Sequence, residues 1–158
     1  MYIQFDEIYK TYWQKIYRLC LGYVNDADWA KDIAQETFIT VWQQLPKFRN
    51  DSGIGTWIFR IASNHCLRQV ERNKRIPRSD IQTEIPEIIE PSIEDKTAFL
   101  YQCIAELAET DRLIISLELE DIKQAEIAQI VGISEANVRV RIHRIKEKLT
   151  QKFTKHEQ

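Results

Sequence analysis

Between Val138 and Lys155 the chain carries Arg139, Arg141, Arg144, Lys146, Lys148, Lys152 and Lys155 against a single acid, Glu147. A guanidinium fork matches a guanine edge and any of these cations can neutralise a phosphate, so the implied chemistry is nucleic-acid binding. Val138, Ile142, Ile145 and Leu149 recur at steps of four, three and four residues, the period of one buried helix stripe. Asn137, Arg139, Val140, His143 and Arg144 are the candidate reading residues beside and opposite that stripe. For an isolated basic helix, a merely solvated face is an equal alternative. Here the tight turn that precedes the helix favours contact with DNA.

Two further sets stand upstream. "TWIFRIASNHCLRQVERNKR", Thr56 to Arg75, places Arg60, Asn64, Arg68 and Arg75 near one meridian, with Arg72 adding a cation and Glu71 the one acid. Such a stripe can follow phosphates. The preceding loop, "FRNDSGIGT", has the glycines and polar donors that a pocket for an unstacked base requires. The other set differs in kind: Asp32, Gln35, Glu36, Ile39 and Gln43 share a helix face opposite Ala30, Ala34, Phe38 and Val41. An isoleucine amid polar neighbours suits a protein contact, although scattered exposed apolar residues are ordinary. Asp32 and Glu36 offer two carboxylates one turn apart, but no third metal ligand accompanies them. We find no nucleophile–base pair, phosphate-cradling glycine loop or metal-ligand spacing, so we expect no catalytic residues, no metal and no cofactor.

These residues need helices to position them. From Phe5 to Tyr23 and from Ala30 to Leu45, apolar residues fall at three- and four-residue steps; Asn25 and Asp26 suit a helix start, and Pro46 a stop. A third helix is expected from Thr56 to about Arg75. Between Pro77 and Asp95 three prolines are interspersed with six acids and one base, Arg78. Mutual repulsion and proline spacing predict an extended tether reaching roughly 60 Å at about 3.3 Å per residue. The helical period resumes at Thr97 and restarts at Thr110, a candidate cap. Gly132 suits a left-handed helix end and Ser134 the cap of the next helix, so the turn from Gly132 to Ser134 makes a helix-turn-helix. The fold expected is all-α: two small helical domains, 1–76 and 97–158, joined by an extended acidic linker, 77–96, the second domain a helix-turn-helix.

Composition sets limits. The formal net charge is -2, so any nucleic-acid surface must be local. The N-terminal "MYIQFDEIYK" has acids where a signal peptide needs bases, and no apolar run approaches the roughly 18 residues of a membrane span. A cytoplasmic protein without membrane insertion is expected. Cys20, Cys66 and Cys103 are widely spaced without a CxxC pair, which favours buried thiols over disulfides. Cys66 adjoins His65, but neighbouring helical residues diverge by about 100°, poor geometry for one metal.

"DIAQETFITVW" (Asp32 to Trp42), "TWIFRIASNHCLRQVERNKR" and "EIAQIVGISEANVRVRIHRIKEKL", in this order and separated by a linker, resemble the extracytoplasmic-function group of bacterial RNA polymerase sigma factors. The resemblance spans nearly the whole chain. It implies a region-two module, then a region-four module, with no region three between them. It implies that Asp32, Gln35, Glu36 and Ile39 sit on the polymerase clamp helices, and that the "FRNDSGIG" loop and the Asn64 helix read the minus-ten element as separated strands. Arg139, Val140, His143 and Arg144 would read the minus-thirty-five element as duplex, and the acidic linker would enter the channel later occupied by RNA. The partners implied are core RNA polymerase, promoter DNA and an anti-sigma factor. Two features depart from the family pattern: "LELEDIKQAEIA" is more acidic than a segment beside DNA should be, and Val140 is apolar where polar residues are frequent. The alternative is a stand-alone helix-turn-helix transcriptional regulator. An interaction module with a lapsed DNA surface is a further rival, and an enzyme the weakest.

Overall fold

The computed structural model describes residues 4–49, 53–75 and 93–157, the side chains of 70–75 and 93–95 excepted. Among the described residues all regular structure is helical. Helix α1 (Phe5–Val24) ends on Asn25, whose left-handed backbone at φ 51 lets its N–H donate to the Leu21 carbonyl. Asparagine tolerates that conformation better than most residues. Asp26 then caps α2 (Ala27–Gln44), its Oδ1 accepting from the Trp29 N–H at 3.0 Å. Pro46 lies within a short 3-10 turn, Leu45–Lys47.

Helix α3 (Ile54–Arg75) starts two residues ahead of the expected Thr56, so Ile54 and Gly55 leave the loop and join the helix. Packing accounts for this: a Cβ on Gly55 would lie 3.0 Å from the Tyr12 hydroxyl, and so close an approach outweighs glycine's poor helix propensity. Residues 50–52, the middle of the expected base pocket, lie outside the described residues. Ile16, Leu19, Ala30, Ala34, Val41 and Ile58 are fully buried where α1, α2 and α3 meet. Cys20 and Cys66 share that core with their sulfurs 3.8 Å apart; contact with Cys66 and burial push the Cys20 thiol well above its usual range. All three cysteines are free and buried.

The second half comprises α4 (Ile93–Ala105), α5 (Glu109–Leu119), α6 (Gln124–Val131) and α7 (Glu135–Glu157). Two expectations need correction. Residues 93–96, expected in the extended linker, form the start of α4; acidic residues are favoured at the first positions of a helix, so the acids at 94 and 95 of the sequence do not require an extended chain. The remainder of the expected linker, 77–92, lies outside the described residues. Thr110 is not a cap but lies inside α5, which Ala108 begins. There the Arg112 N–H donates to the Ala108 carbonyl at 2.9 Å, and its guanidinium Nη1 donates to the Leu107 carbonyl at 2.9 Å.

The halves are packed on each other. Helix α1 lies against α4 and α5, α3 touches α6, and the buried apolar residues form a continuous cluster. A Cβ on Gly22 would collide with Ser116 Oγ and approach Ser116 Cβ to 3.2 Å. Arg18 forms a two-pronged pair with Glu120, Nε to Oε1 at 2.6 Å and Nη2 to Oε2 at 2.9 Å. Arg112 of α5 reaches across to donate from Nε to the Tyr23 carbonyl at 3.0 Å.

Candidate nucleic-acid and protein-docking faces

Gly132 closes α6 at φ 81, its N–H donating to the Ala128 carbonyl at 2.8 Å. A side chain there would be strained, which is why the sequence has glycine. Ser134 Oγ accepts from the Asn137 N–H at 3.1 Å and so starts α7. Val138, Ile142, Ile145 and Leu149 are buried, and α7 packs on α4, α5 and α6. Asn137, Arg139, Val140, His143 and Arg144 are all exposed on one side of the same helix. Val140, at 47 % exposure, is a large apolar residue held in solvent.

The other bases of α7 behave differently. Arg141 donates from Nη1 to Asp111 Oδ1 at 3.2 Å and from Nε to Asn137 Oδ1 at 3.3 Å. Lys146 reaches Glu118 at 3.4 Å, and Lys152 pairs with Glu106. Three of the seven cations seen in the sequence are therefore neutralised by acids of α5 and of the turn between α4 and α5. Among the described residues, Arg139 and Arg144 have no acidic partner. His143 Nδ1 stands 3.7 Å from Glu147 Oε1, both well exposed. The acidic "LELE" has the same explanation: Glu118 answers Lys146 and Glu120 answers Arg18.

On α3, Arg60 is half-buried, while Asn64 and Arg68 are exposed at successive four-residue steps. Helix α3 extends through positions 72 and 75, but the side chains of Arg72 and Arg75 lie outside the described residues. Asp32, Gln35, Glu36 and Ile39 are together exposed on α2, with Ile39 at 57 %. Sequence reasoning missed the neighbours that enlarge this face. Trp42 is 64 % exposed and Tyr9, which the periodicity assigns to the core stripe, is 40 % exposed. With Phe5 and Phe38 they line an open groove of about 470 Å³ beside Gln35 and Ile39. Tyr9 packs at the margin of the core, stacked on Trp13 at 5.2 Å and against the edge of Phe38 at 5.1 Å. The missed signal was Trp42, three residues beyond Ile39 and so on its side of the helix.

Struts beneath α2 link it to α3. Gln69 Nε2 donates to Glu36 Oε2 at 3.2 Å, and the Thr40 hydroxyl donates to the Glu36 carbonyl at 3.1 Å. The hydroxyl proton being so directed, His65 Nε2 is the donor in its 2.9 Å bond to Thr40 Oγ1. Burial lowers the His65 pKa, Glu36 opposes that shift, and Arg68 reinforces it. His65 and Cys66 thus turn to different partners, Thr40 and Cys20. Among the described residues no group of three or more potential ligands could hold a metal ion, and no helix is long and apolar enough to cross a membrane.

Residues 8–76 match the family description Sigma-70 region 2, and residues 100–149 match Sigma-70, region 4. The RNA polymerase sigma-H factor of Pseudomonas aeruginosa is 34% identical over 159 residues, covering 90% of this chain and 82% of that protein. The chain belongs to the extracytoplasmic-function sigma factors of the sigma-70 family. The ECF sigma factor SigW of Bacillus subtilis is 28% identical, covering 94% of this chain and 88% of that one. Among solved structures, the sigma factor RpoE of Bartonella quintana, crystallised with the anti-sigma factor NepR, has the same fold at a TM-score of 0.75 and 17% identity, covering 93% of this chain and 94% of that one. CnrH, in complex with the cytosolic domain of CnrY, matches at a TM-score of 0.67 and 20% identity, over 95% of this chain and 87% of that one. The all-α, two-domain sigma fold stands on these likenesses together with the helices themselves.

Proposed function

We propose that this sigma factor binds core RNA polymerase through the outer face of α2 and directs initiation by reading two promoter elements, the minus-ten through α3 and the minus-thirty-five through α7. The observation that carries the reading is the sorting of charge on α7. Arg141, Lys146 and Lys152 are neutralised by acids of their own domain, whereas among the described residues Arg139 and Arg144 stand without an acidic partner on the far side from the buried stripe, as do Lys148 and Lys155 further along the helix. Arg139 and Arg144 suit guanine edges or phosphates, and the methyl groups of Val140 suit a thymine methyl. The family departure at Val140 then becomes a specificity feature.

Residues 1–76 form the module that holds polymerase and the minus-ten element, with Arg60, Asn64, Arg68, Arg72 and Arg75 following the strand. The module from 97 onward reads duplex, and the acidic segment between them spans the polymerase channel. Asp32, Gln35, Glu36 and Ile39 make the polymerase contact, which the Trp42 and Tyr9 groove extends. The chain makes and breaks no bonds of its own, needs no cofactor, and works in the cytoplasm. RpoE was crystallised with an anti-sigma factor; an anti-sigma factor is likewise the expected inhibitor of this chain, and it would compete for the α2 face.

Reconstitution tests this. The purified chain with core polymerase should yield specific transcripts from a subset of genomic promoters, with start sites downstream of shared paired elements. Absence of stimulation at every genomic promoter defeats the proposal. Tight sequence-specific binding to duplex by the free chain, without help from polymerase, would favour the stand-alone regulator.

A further inference from the structure

Glu147 is the single acid between Val138 and Lys155. On the helix it falls almost directly opposite the stripe of Val138, Ile142, Ile145 and Leu149, at the centre of the outward face. A carboxylate there opposes the approach of phosphates. The helix does not need it for a pair one turn further on, because position 151 is glutamine. One turn back stands His143, its Nδ1 3.7 Å from Glu147 Oε1, with the two side chains 76% and 63% exposed. Among the described residues no acid of α4, α5 or α6 comes within ion-pair distance of this imidazole: Asp111 and Glu118 are taken by Arg141 and Lys146, and Glu106 of the turn before α5 by Lys152. The cations closest along the helix are Arg139, Arg144 and Lys146, the last turned toward Glu118.

A neutral imidazole carries its proton on one nitrogen, and a carboxylate beside the ring decides which. With Glu147 on the Nδ1 side, the proton belongs on Nδ1. Nε2 is then an acceptor, and the pair with Glu147 leaves it available to a base edge. In the major groove adenine and cytosine offer amino donors, whereas guanine offers only acceptors. Imidazole is also the side chain whose charge changes between pH 5 and 8. Once protonated it donates from both nitrogens and suits guanine instead. Water screens the exposed pair in the free chain; docking on DNA displaces that water and strengthens the hold of the carboxylate on the ring.

We propose that Glu147 is a positioning residue for His143, holding the ring proton on Nδ1 so that Nε2 accepts from an adenine or cytosine amino group in the minus-thirty-five element. Protonation of the ring turns the preference at that base pair toward guanine. Glu147 acts through His143 and touches no base itself, and the lone acid of a basic helix thereby takes part in sequence choice. The contact rests on the reading of α7 as the minus-thirty-five helix, and adds to it the class of base that one position takes and the dependence of that choice on pH.

The test uses holoenzyme, the full chain with core polymerase, and a promoter DNA whose upstream element is randomised. DNA retained at about pH 8 and at about pH 5.5, on either side of the range in which histidine changes charge, is sequenced. With the wild type, one base pair should change preference from adenine or cytosine to guanine on acidification. The change should be about tenfold, the discrimination of a single base contact, while the neighbouring positions keep their preferences. His143→Gln, whose amide donates and accepts at every pH, should lose the change. Glu147→Ala should favour guanine at that position already at about pH 8, because the ring is then free to carry its proton on Nε2. Both side chains are exposed, so neither variant should alter the melting temperature of the chain. If Glu147 acts only by repelling phosphates, Glu147→Ala raises retention of all sequences alike and leaves the preference where it was, which overturns the proposal. A wild-type preference identical at both pH values overturns it too, while the promoter reading stands. A library that enriches no upstream sequence at either pH defeats the promoter reading of α7 itself, and this contact with it.

Discussion

The outer faces of α2 and α7 are both what remains after a helix buries its apolar stripe, yet they offer opposite chemistry. On α7 the acids of α5 and of the turn before it absorb Arg141, Lys146 and Lys152, and what is left over is Arg139 and Arg144 around Val140, with Lys148 and Lys155 further along. On α2 Glu36 is tied to Gln69 and Thr40 to His65, and the face presents apolar Ile39, Trp42 and the rim of Tyr9 beside exposed Asp32 and Gln35. A count of charges along either helix would miss this. Exposed residues that the fold leaves wholly or partly unmatched are the candidates for contact with a partner outside it, and the net charge of -2 says nothing about either face.

The largest effect should come from the apolar face. Ile39→Ala or Trp42→Ala should each weaken binding to core polymerase by about 2 kcal/mol or more, roughly thirtyfold, as expected of a central apolar anchor. Both side chains are already exposed, so the melting temperature should hardly change. The loss should be nearly independent of salt, and binding to minus-thirty-five duplex should be unaffected. If salt modulates the contact as steeply as it does DNA binding, α2 is not an apolar docking face and the contrast with α7 disappears.

Next come the arginines of α7. Arg139→Ala and Arg144→Ala should each reduce affinity for the minus-thirty-five duplex by about 1–3 kcal/mol if they contact bases, with relaxed specificity at one position. If they contact phosphate, the loss is uniform across sequences and the salt slope falls by about 1. Lys152→Ala is the internal comparison: Glu106 already neutralises this cation, so its removal should change DNA affinity much less. Equal losses at Arg139 and Lys152, measured by fluorescence anisotropy across a salt series, would show that internal pairing does not decide which bases are available.

Much of this was legible in the sequence where one local rule acts alone. The steps of Val138, Ile142, Ile145 and Leu149 fixed the buried side of α7, and Gly132 with Ser134 marked a turn whose φ and cap the structure shows. Errors arose where a distant partner overrules the local rule. Gly55 reads as loop until Tyr12 is found against it, and Tyr9 reads as core although Trp13 and Phe38 hold it only at the core's margin. The excess acid in "LELE" was unexplained because its cations come from Arg18, 102 residues away, and Lys146, 28 residues away. The packing of the halves was not legible for the same reason: Gly22 and Ser116 have no pattern in the chain that announces each other.

The smallest effect concerns how the two faces are supported. The α7 face rests on carboxylate–cation pairs, whereas α2 leans on α3 through an imidazole whose pKa burial has lowered. A histidine with a depressed folded pKa binds fewer protons in the native state than in the unfolded chain, whose value is about 6.5. Its contribution is therefore present above about pH 6.5 and is lost as pH falls through the lower folded value. On acidification from pH 7 toward 5.5 the wild type should lose thermal stability, and His65→Gln, whose amide can still donate to Thr40, should lose less. Because His65 is only part-buried the difference should be modest, with Glu36 limiting it by favouring the imidazolium. A parallel fall in both proteins would mean that the His65–Thr40 strut does not respond to protonation, and that the supports of α2 and α7 differ in geometry alone.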